Sequence, residues 1–209
     1  MIQYTIAKML LQIGAVTLRP KEPFTWTSGI KSPIYCDNRL TISYPYIRDT
    51  IANGFQKIIT EQFGAVDVLA GTATAGIPHA AFVAQKMMLP MAYVREKAKG
   101  HGKENRIEGI ISEGARVVVF EDTISTGGSS LKAVEAVREA GADVAGVVAI
   151  YHYEFDRAIR SFAEMRVPCF TLTNYSTLID VAREEGFINE EELAVLREWK
   201  ENPEGYAWK

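Results

Sequence analysis

The apolar positions of this chain change rhythm as one reads along it. Near the N-terminus Ile2, Ile6, Met9, Leu10 and Ile13 recur at helical spacing between polar residues, which predicts an amphipathic helix docked on a core. A second helix is expected from about Pro45 to Phe63, burying Ile47, Ile51, Phe55, Ile58 and Ile59. The stretch between them, 17–43, is rich in Pro, Gly, Ser and aromatics and has no period, so it reads as a hood or edge element. From residue 66 onward short apolar runs alternate with helical segments. The runs are VDVLA (66–70), MAYV (91–94), IEGII (107–111), RVVVF (116–120), VAGVVAI (144–150) and CFTLT (169–173), with helices expected to about Met88 and to Ala140. Strands that are continuously apolar and separated by helices predict an α/β fold, a parallel sheet covered on both faces. A last helix should begin near Asn189, capped by that side chain with Glu192 three residues on.

Composition narrows the class. A chain of 209 residues suits one α/β unit, so 1–209 is expected to be a single domain, with about 1–44 and the C-terminal residues adding hood and packing elements. A net charge of -3 gives no global pull toward nucleic acid or an anionic membrane, and neither is expected as a partner. No apolar run approaches the length that crosses a bilayer, and the first residues lack the basic start of a signal peptide. Cys36 and Cys169 form no CxxC, which fits a reduced, cytoplasmic protein better than a disulfide framework.

The most informative segment is RVVVFEDTISTGGSS (116–130). A buried run ends in two carboxylates, Glu121 and Asp122; small hydroxyl and glycine residues follow, and then a helix starts. Ligands of open α/β sheets bind beyond the carboxyl ends of the strands, and a helix N-terminus offers free N–H groups to a phosphate. Ser125, Thr126, Gly127, Gly128 and Ser129 would let the backbone approach that phosphate. The carboxylates would repel it, so they suit sugar hydroxyls or a magnesium ion on the same ligand. A plain strand–turn–helix connection is the other reading of this spacing.

Two further loops carry candidate chemistry. GTATAG (71–76) has the glycine spacing of a P-loop, but Ile77 and Pro78 stand where Lys-Ser/Thr should follow. REKAKGHGKENR (95–106) sets Arg95, Lys97, Lys99, Lys103 and Arg106 around His101, which Gly100 and Gly102 flank. Such a loop suits a cationic lid over a polyanionic leaving group, or a solvated hairpin tip.

Four apolar residues, two acids, two variable positions and a Thr/Ser-rich Thr-Gly-Gly resemble the signature of the type I phosphoribosyltransferases. The resemblance covers about residues 20 to 180 and implies their fold, a parallel sheet flanked by helices with a small N-terminal hood. It implies that Glu121 and Asp122 hold the ribose hydroxyls, Asp122 as a catalytic residue. Thr123, Ile124, Ser125, Thr126, Gly127, Gly128 and Ser129 would complete the phosphoribosyl pyrophosphate site, and GTATAG would face the pyrophosphate. Tyr-Val-Arg-x-x-x-Lys-x-His-Gly (93–102) resembles the catalytic loop of the orotate branch, so Arg95, Lys99 and His101 would bind the pyrophosphate, Lys99 and His101 catalytically. That loop reaches the neighbouring subunit in the family, which implies a homodimer. Glu96 departs from the branch, where a lysine often stands. FTWTSGIKSPIYCDNR (24–39) resembles the base-side segment, with Lys31 and Arg39 as cations for orotate and Ser125 as a further orotate contact. Thr27 and Cys36 depart from it.

In some relatives an orotate-contacting arginine follows the run 144–150; Arg157 lies near that place without a secure alignment, and His152 reads as packing or exposed. The resemblance implies transfer of ribose-5-phosphate to orotate, with magnesium held mainly through the substrate and no separate metal ligands. This reaction gives orotidine 5'-phosphate and pyrophosphate and belongs to UMP biosynthesis. A transferase for another base, and a sensor of phosphoribosyl pyrophosphate without catalysis, are the alternatives.

Overall fold

The computed structural model describes residues 2–26, 29–96 and 106–208. α1 (Ile2–Gln12) opens the chain. Its buried residues are Ile6, Ala7, Leu10 and Leu11, whereas Ile2 is exposed. The buried face is therefore rotated from the expected stripe toward Ala7 and Leu11. The hood consists of four short strands, β1 (Val16–Leu18), β2 (Phe24–Thr25), β3 (Lys31–Ser32) and β4 (Ile34–Cys36). β1 pairs antiparallel with β4, and β2 with β3. A 3-10 turn, Asn38–Ser43, leads into α2 (Pro45–Ile58), where Pro at the first position leaves no N–H wasted. One π-helical turn, Ile59–Phe63, completes the expected second helix.

The sheet follows: β5 (Val68–Thr72), α3 (Gly76–Met87), β6 (Met91–Val94), β7 (Ile107–Glu108), β8 (Arg116–Ile124), α4 (Gly128–Glu139), β9 (Asp143–His152), α5 (Asp156–Glu164), β10 (Cys169–Asn174), α6 (Tyr175–Glu184) and α7 (Glu190–Glu201). The six strands lie in the order β10-β9-β8-β5-β6-β7. All neighbours are parallel except β6 and β7. The sheet is thus the expected one, mostly parallel and flanked by helices.

Successive strand residues face opposite ways, and the two faces bury two separate cores. Leu69, Val118, Phe120, Val148 and Ile150 pack with α1, α2, α3, α6 and α7. Val68, Val117, Val119, Val147 and Ala149 pack with α4 and α5. The capping box at Asn189 and Glu192 is formed in both directions, at 2.9 and 3.0 Å.

β8 does not stop at Phe120 as its apolar run suggested. It continues through both carboxylates and pairs with β9 as far as Ile124 opposite His152. The 107–111 run gives only a two-residue edge strand, because Gly109 turns the chain away at φ +97°.

Candidate active site

The strand order reverses between β5 and β8: the chain proceeds from β5 to β6 on one side and from β8 to β9 and β10 on the other. A crevice opens at such a point, beyond the carboxyl ends of the two strands. The Ala73–Thr74 peptide, just past β5, is cis. α3 begins at Gly76, where a Cβ would lie 2.3 Å from the Phe120 carbonyl oxygen, so only glycine lets the helix start this close to β8.

Strand alternation separates the two acids. Glu121 falls on the α4 face and is 5% exposed. Its Oε1 accepts from Thr72 Oγ1 at 2.7 Å and from the Asp122 N–H at 3.2 Å. Its Oε2 accepts from Ser129 Oγ at 2.7 Å and Ser130 Oγ at 3.1 Å. Glu121 thus ties β5 to the first turn of α4, and buried hydroxyls stabilise a carboxylate that burial alone would destabilise.

Asp122 falls on the other face, half-buried beneath the hood. Asn38 Nδ2 donates to its carbonyl at 3.1 Å and to Thr123 Oγ1 at 2.9 Å. Burial first, and then the charge of Glu121 and a hydrogen bond with it, raise the Asp122 carboxyl well above the usual aspartate range.

The chain then turns through Ser125 and Thr126 to Gly127, at φ +81°, which caps α4. A Cβ there would meet Phe162 Cε2 at 2.9 Å, so both backbone and packing require glycine. The N–H groups of the first turn of α4 lack intrahelical acceptors and point along the favourable end of the helix dipole. Ser125 stands between two cavities. One, of about 790 Å³, is lined by Trp26, Thr126, Phe155, Arg157 and Lys200 among others. The other, of about 570 Å³, lies against the hood between Phe24, Tyr35, Cys36, Thr123 and Tyr153.

The remaining sequence-derived candidates fall in different places. Arg95 is at the end of β6, half-buried, with Nη1 3.3 Å from Glu108 Oε1. Lys99 and His101 lie outside the described residues, as does Thr27. Lys31 is exposed and lines an adjacent cleft with Ile30, Pro203, Tyr206 and Trp208. Arg39 is engaged at the surface, where its Nε and Nη2 donate to the two oxygens of Asp37 at 2.6 and 2.9 Å. His152 is half-buried; its Nδ1 accepts the Glu154 N–H at 2.6 Å, a packing role.

The segments 71–76 and 24–39 were singled out from the sequence, but not the individual contacts of Thr72, Asn38 and Trp26 within them. The first two act as hydroxyl and amide donors from distant segments, and only the fold brings them to β8. Trp26 packs edge-on against Tyr153 and Trp199, at 5.4 and 5.9 Å between ring centroids, as the inner wall of the larger cavity. Arg157, which could not be aligned, lines the same cavity.

Comparison with known proteins agrees with this geometry. Residues 44–183 match the model of the phosphoribosyl transferase domain. The orotate phosphoribosyltransferase of Halalkalibacterium halodurans is 58% identical over 98% of this chain and 97% of its own length. Among solved structures, the orotate phosphoribosyltransferase of Aeropyrum pernix superposes with a TM-score of 0.76 at 28% identity, covering 88% of this chain and 99% of that one. Leishmania donovani UMP synthase gives a TM-score of 0.81 at 28% identity over 95% of this chain, which spans 42% of that longer protein. Sheet, acidic pair and glycine turn, together with full-length likeness to these relatives, lead to one assignment: the chain belongs to the phosphoribosyltransferase family and, within it, to the orotate phosphoribosyltransferases.

Proposed function

We propose that the protein transfers ribose-5-phosphate from phosphoribosyl pyrophosphate to orotate, giving orotidine 5'-phosphate and pyrophosphate, a step of pyrimidine biosynthesis. The observation that carries this reading is the end of β8. A carboxyl raised by burial and a glycine-capped helix N-terminus sit a few residues apart at the switch point of the sheet, beside a cavity with an arginine in its wall.

The substrate nitrogen is the nucleophile, so the protein's task is to orient two anions and stabilise charge as the anomeric bond breaks. Asp122 and Glu121 accept from the ribose hydroxyls. The backbone from Thr123 and Ile124 through Ser125, Thr126, Gly127, Gly128 and Ser129 holds the 5-phosphate. Ser129 serves both groups: its hydroxyl now donates to Glu121 Oε2, and turning it to the phosphate frees that oxygen for the sugar. Ser125 and Arg157 face the base, with Lys31 at the outer edge of its approach. Arg95, Lys99 and His101 neutralise the pyrophosphate, with His101 able to supply a proton. Magnesium would be held here mainly through the substrate's own hard oxygen donors, since both Glu121 oxygens already accept hydrogen bonds from Thr72, Ser129 and Ser130. When bound it adds positive charge beside the leaving group.

The unit we propose is residues 1–209 acting as one phosphoribosyltransferase domain, in a homodimer that shares the 95–106 loop between subunits. A cytoplasmic setting fits Cys36 and Cys169, both free. No described helix is long and apolar enough to cross a membrane. The test is product formation: purified protein, orotate, phosphoribosyl pyrophosphate and magnesium should yield orotidine 5'-phosphate, with turnover abolished by chelation and by Lys99→Ala. Binding of phosphoribosyl pyrophosphate without any product would refute transfer and indicate a sensor.

A further inference from the structure

β9 ends at His152, and Tyr153, Glu154 and Phe155 carry the chain across the ligand edge of the sheet into α5. Glu154 sits at φ +60°, a left-handed conformation that a residue with a Cβ keeps only where its surroundings hold it. The holding contacts come from three elements. Its N–H donates to His152 Nδ1 at 2.6 Å. Its Oε2 accepts from the Ser176 N–H at 2.9 Å and Ser176 Oγ at 2.6 Å, in the first turn of α6. The same oxygen accepts from Lys200 Nζ at 3.0 Å, in the last turn of α7, and that ammonium lies 3.0 Å from Ser176 Oγ as well. The Lys200 and Glu154 side chains are 22% and 25% exposed, so water screens this pair less than a surface pair. Burial would raise the Glu154 carboxyl, yet Ser176 and Lys200 together hold it below the usual glutamate range.

The residues that follow Glu154 are those of the larger cavity. Phe155 stacks on Tyr153 at 5.3 Å and packs against Trp199 at 5.8 Å. Its carbonyl accepts from the N–H groups of Ala158 and Ile159 and so starts α5. Phe155, Asp156 and Arg157 line the cavity together with Ser125, Glu154 and Lys200. The direction in which Arg157 leaves the backbone therefore depends on the conformation of Glu154. That conformation depends in turn on a lysine 46 positions downstream.

We propose that Lys200, acting through Glu154, is a positioning residue for the acceptor base: the ion pair fixes the 153–157 loop so that Arg157 meets the carboxylate of the base. On this account α7 sets base specificity from outside the phosphate-binding motif. The proposal rests on the reading that the cavity beside Ser125 takes orotate. A purely structural ion pair would lower stability and active fraction, leaving each KM in place. A positioning pair separates the constants.

The experiment measures steady-state kinetics of the full chain as wild type, Lys200→Met, Lys200→Arg, Arg157→Ala and the Arg157→Ala/Lys200→Met double variant. Lys200→Met should raise the KM for orotate about tenfold, with kcat and the KM for phosphoribosyl pyrophosphate within about twofold. Lys200→Arg should restore most of that loss. In the Arg157→Ala background the lysine change should add less than about twofold, because both act through one contact. Glu154→Gln, which keeps the shape and removes the charge, should reproduce the pattern if Lys200→Met fails to fold. An unchanged orotate KM, or fully additive losses, in an enzyme that converts orotate would overturn the proposal alone. A wild type that converts no orotate would overturn the functional reading and this proposal with it.

Discussion

Glu121 and Asp122 are neighbours in the chain and opposites in environment. Glu121 points to the α4 side of the sheet, where Thr72, Ser129, Ser130 and the backbone N–H of Asp122 supply donors to both its oxygens. Asp122 points to the hood side, with Asn38 steadying its backbone and its carboxyl raised by burial first and by Glu121 second. One acid ties β5 to the first turn of α4, and the other lies beneath the hood. The alternation of a β-strand gives two neighbouring acids two jobs: three hydroxyls and a backbone N–H donate to Glu121, whereas Asp122 takes a longer 3.4 Å contact from Thr123.

The strongest way to break this contrast is Asp122→Asn. It should lower kcat/KM about 100-fold, or about 2.7 kcal/mol of transition-state stabilisation, with the folded structure intact by circular dichroism. Glu121→Gln should do the reverse in emphasis. Its amide would set a donor against Ser129 and Ser130, costing about 2 kcal/mol of stability, read as a lower denaturant midpoint. Gly127→Ala should cost about 1–2 kcal/mol in the same assay, since φ +81° and the 2.9 Å approach to Phe162 both oppose a Cβ, and it should raise the KM for phosphoribosyl pyrophosphate.

The contrast also carries a pH dependence. Asp122 has a folded pKa above its unfolded value, so the stability it contributes is full below about 4 and is lost as pH rises through the raised folded value. Asp122→Asn lacks that loss. It should match the wild type near pH 4 and gain on it steadily as the pH rises from about 4 to about 8. The buried His79, lowered to about 4 by desolvation, has the opposite slope, but it is common to both proteins and cancels in the difference.

Most of the sheet was legible because a two-faced buried strand leaves a continuous apolar run. β8 was read four residues short, since two charges and a threonine look like the end of a strand. Pairing to β9 persists because Glu121 is neutralised by hydroxyls that come from elsewhere in the chain. α5 was not expected, although Phe155, Ala158, Ile159 and Phe162 stand at helical spacing; it is short and buries only Ala158 and Phe162 of its own residues. α6 begins directly where β10 ends, with no polar linker to announce it. At the candidate site, the acidic pair and the glycine turn stood out because they are adjacent in the sequence. Thr72, Asn38, Trp26 and the Glu154–Lys200 pair were not, because each matters only through a contact across many residues.

The most direct test of the account sets four bases side by side. Purified protein with phosphoribosyl pyrophosphate and magnesium is given orotate, adenine, hypoxanthine or uracil, and the nucleotide product of each is quantified. Conversion of orotate with the other three essentially untouched is the predicted result. Efficient conversion of another base in place of orotate would contradict it, leaving the fold and the phosphate site standing but the base assignment wrong.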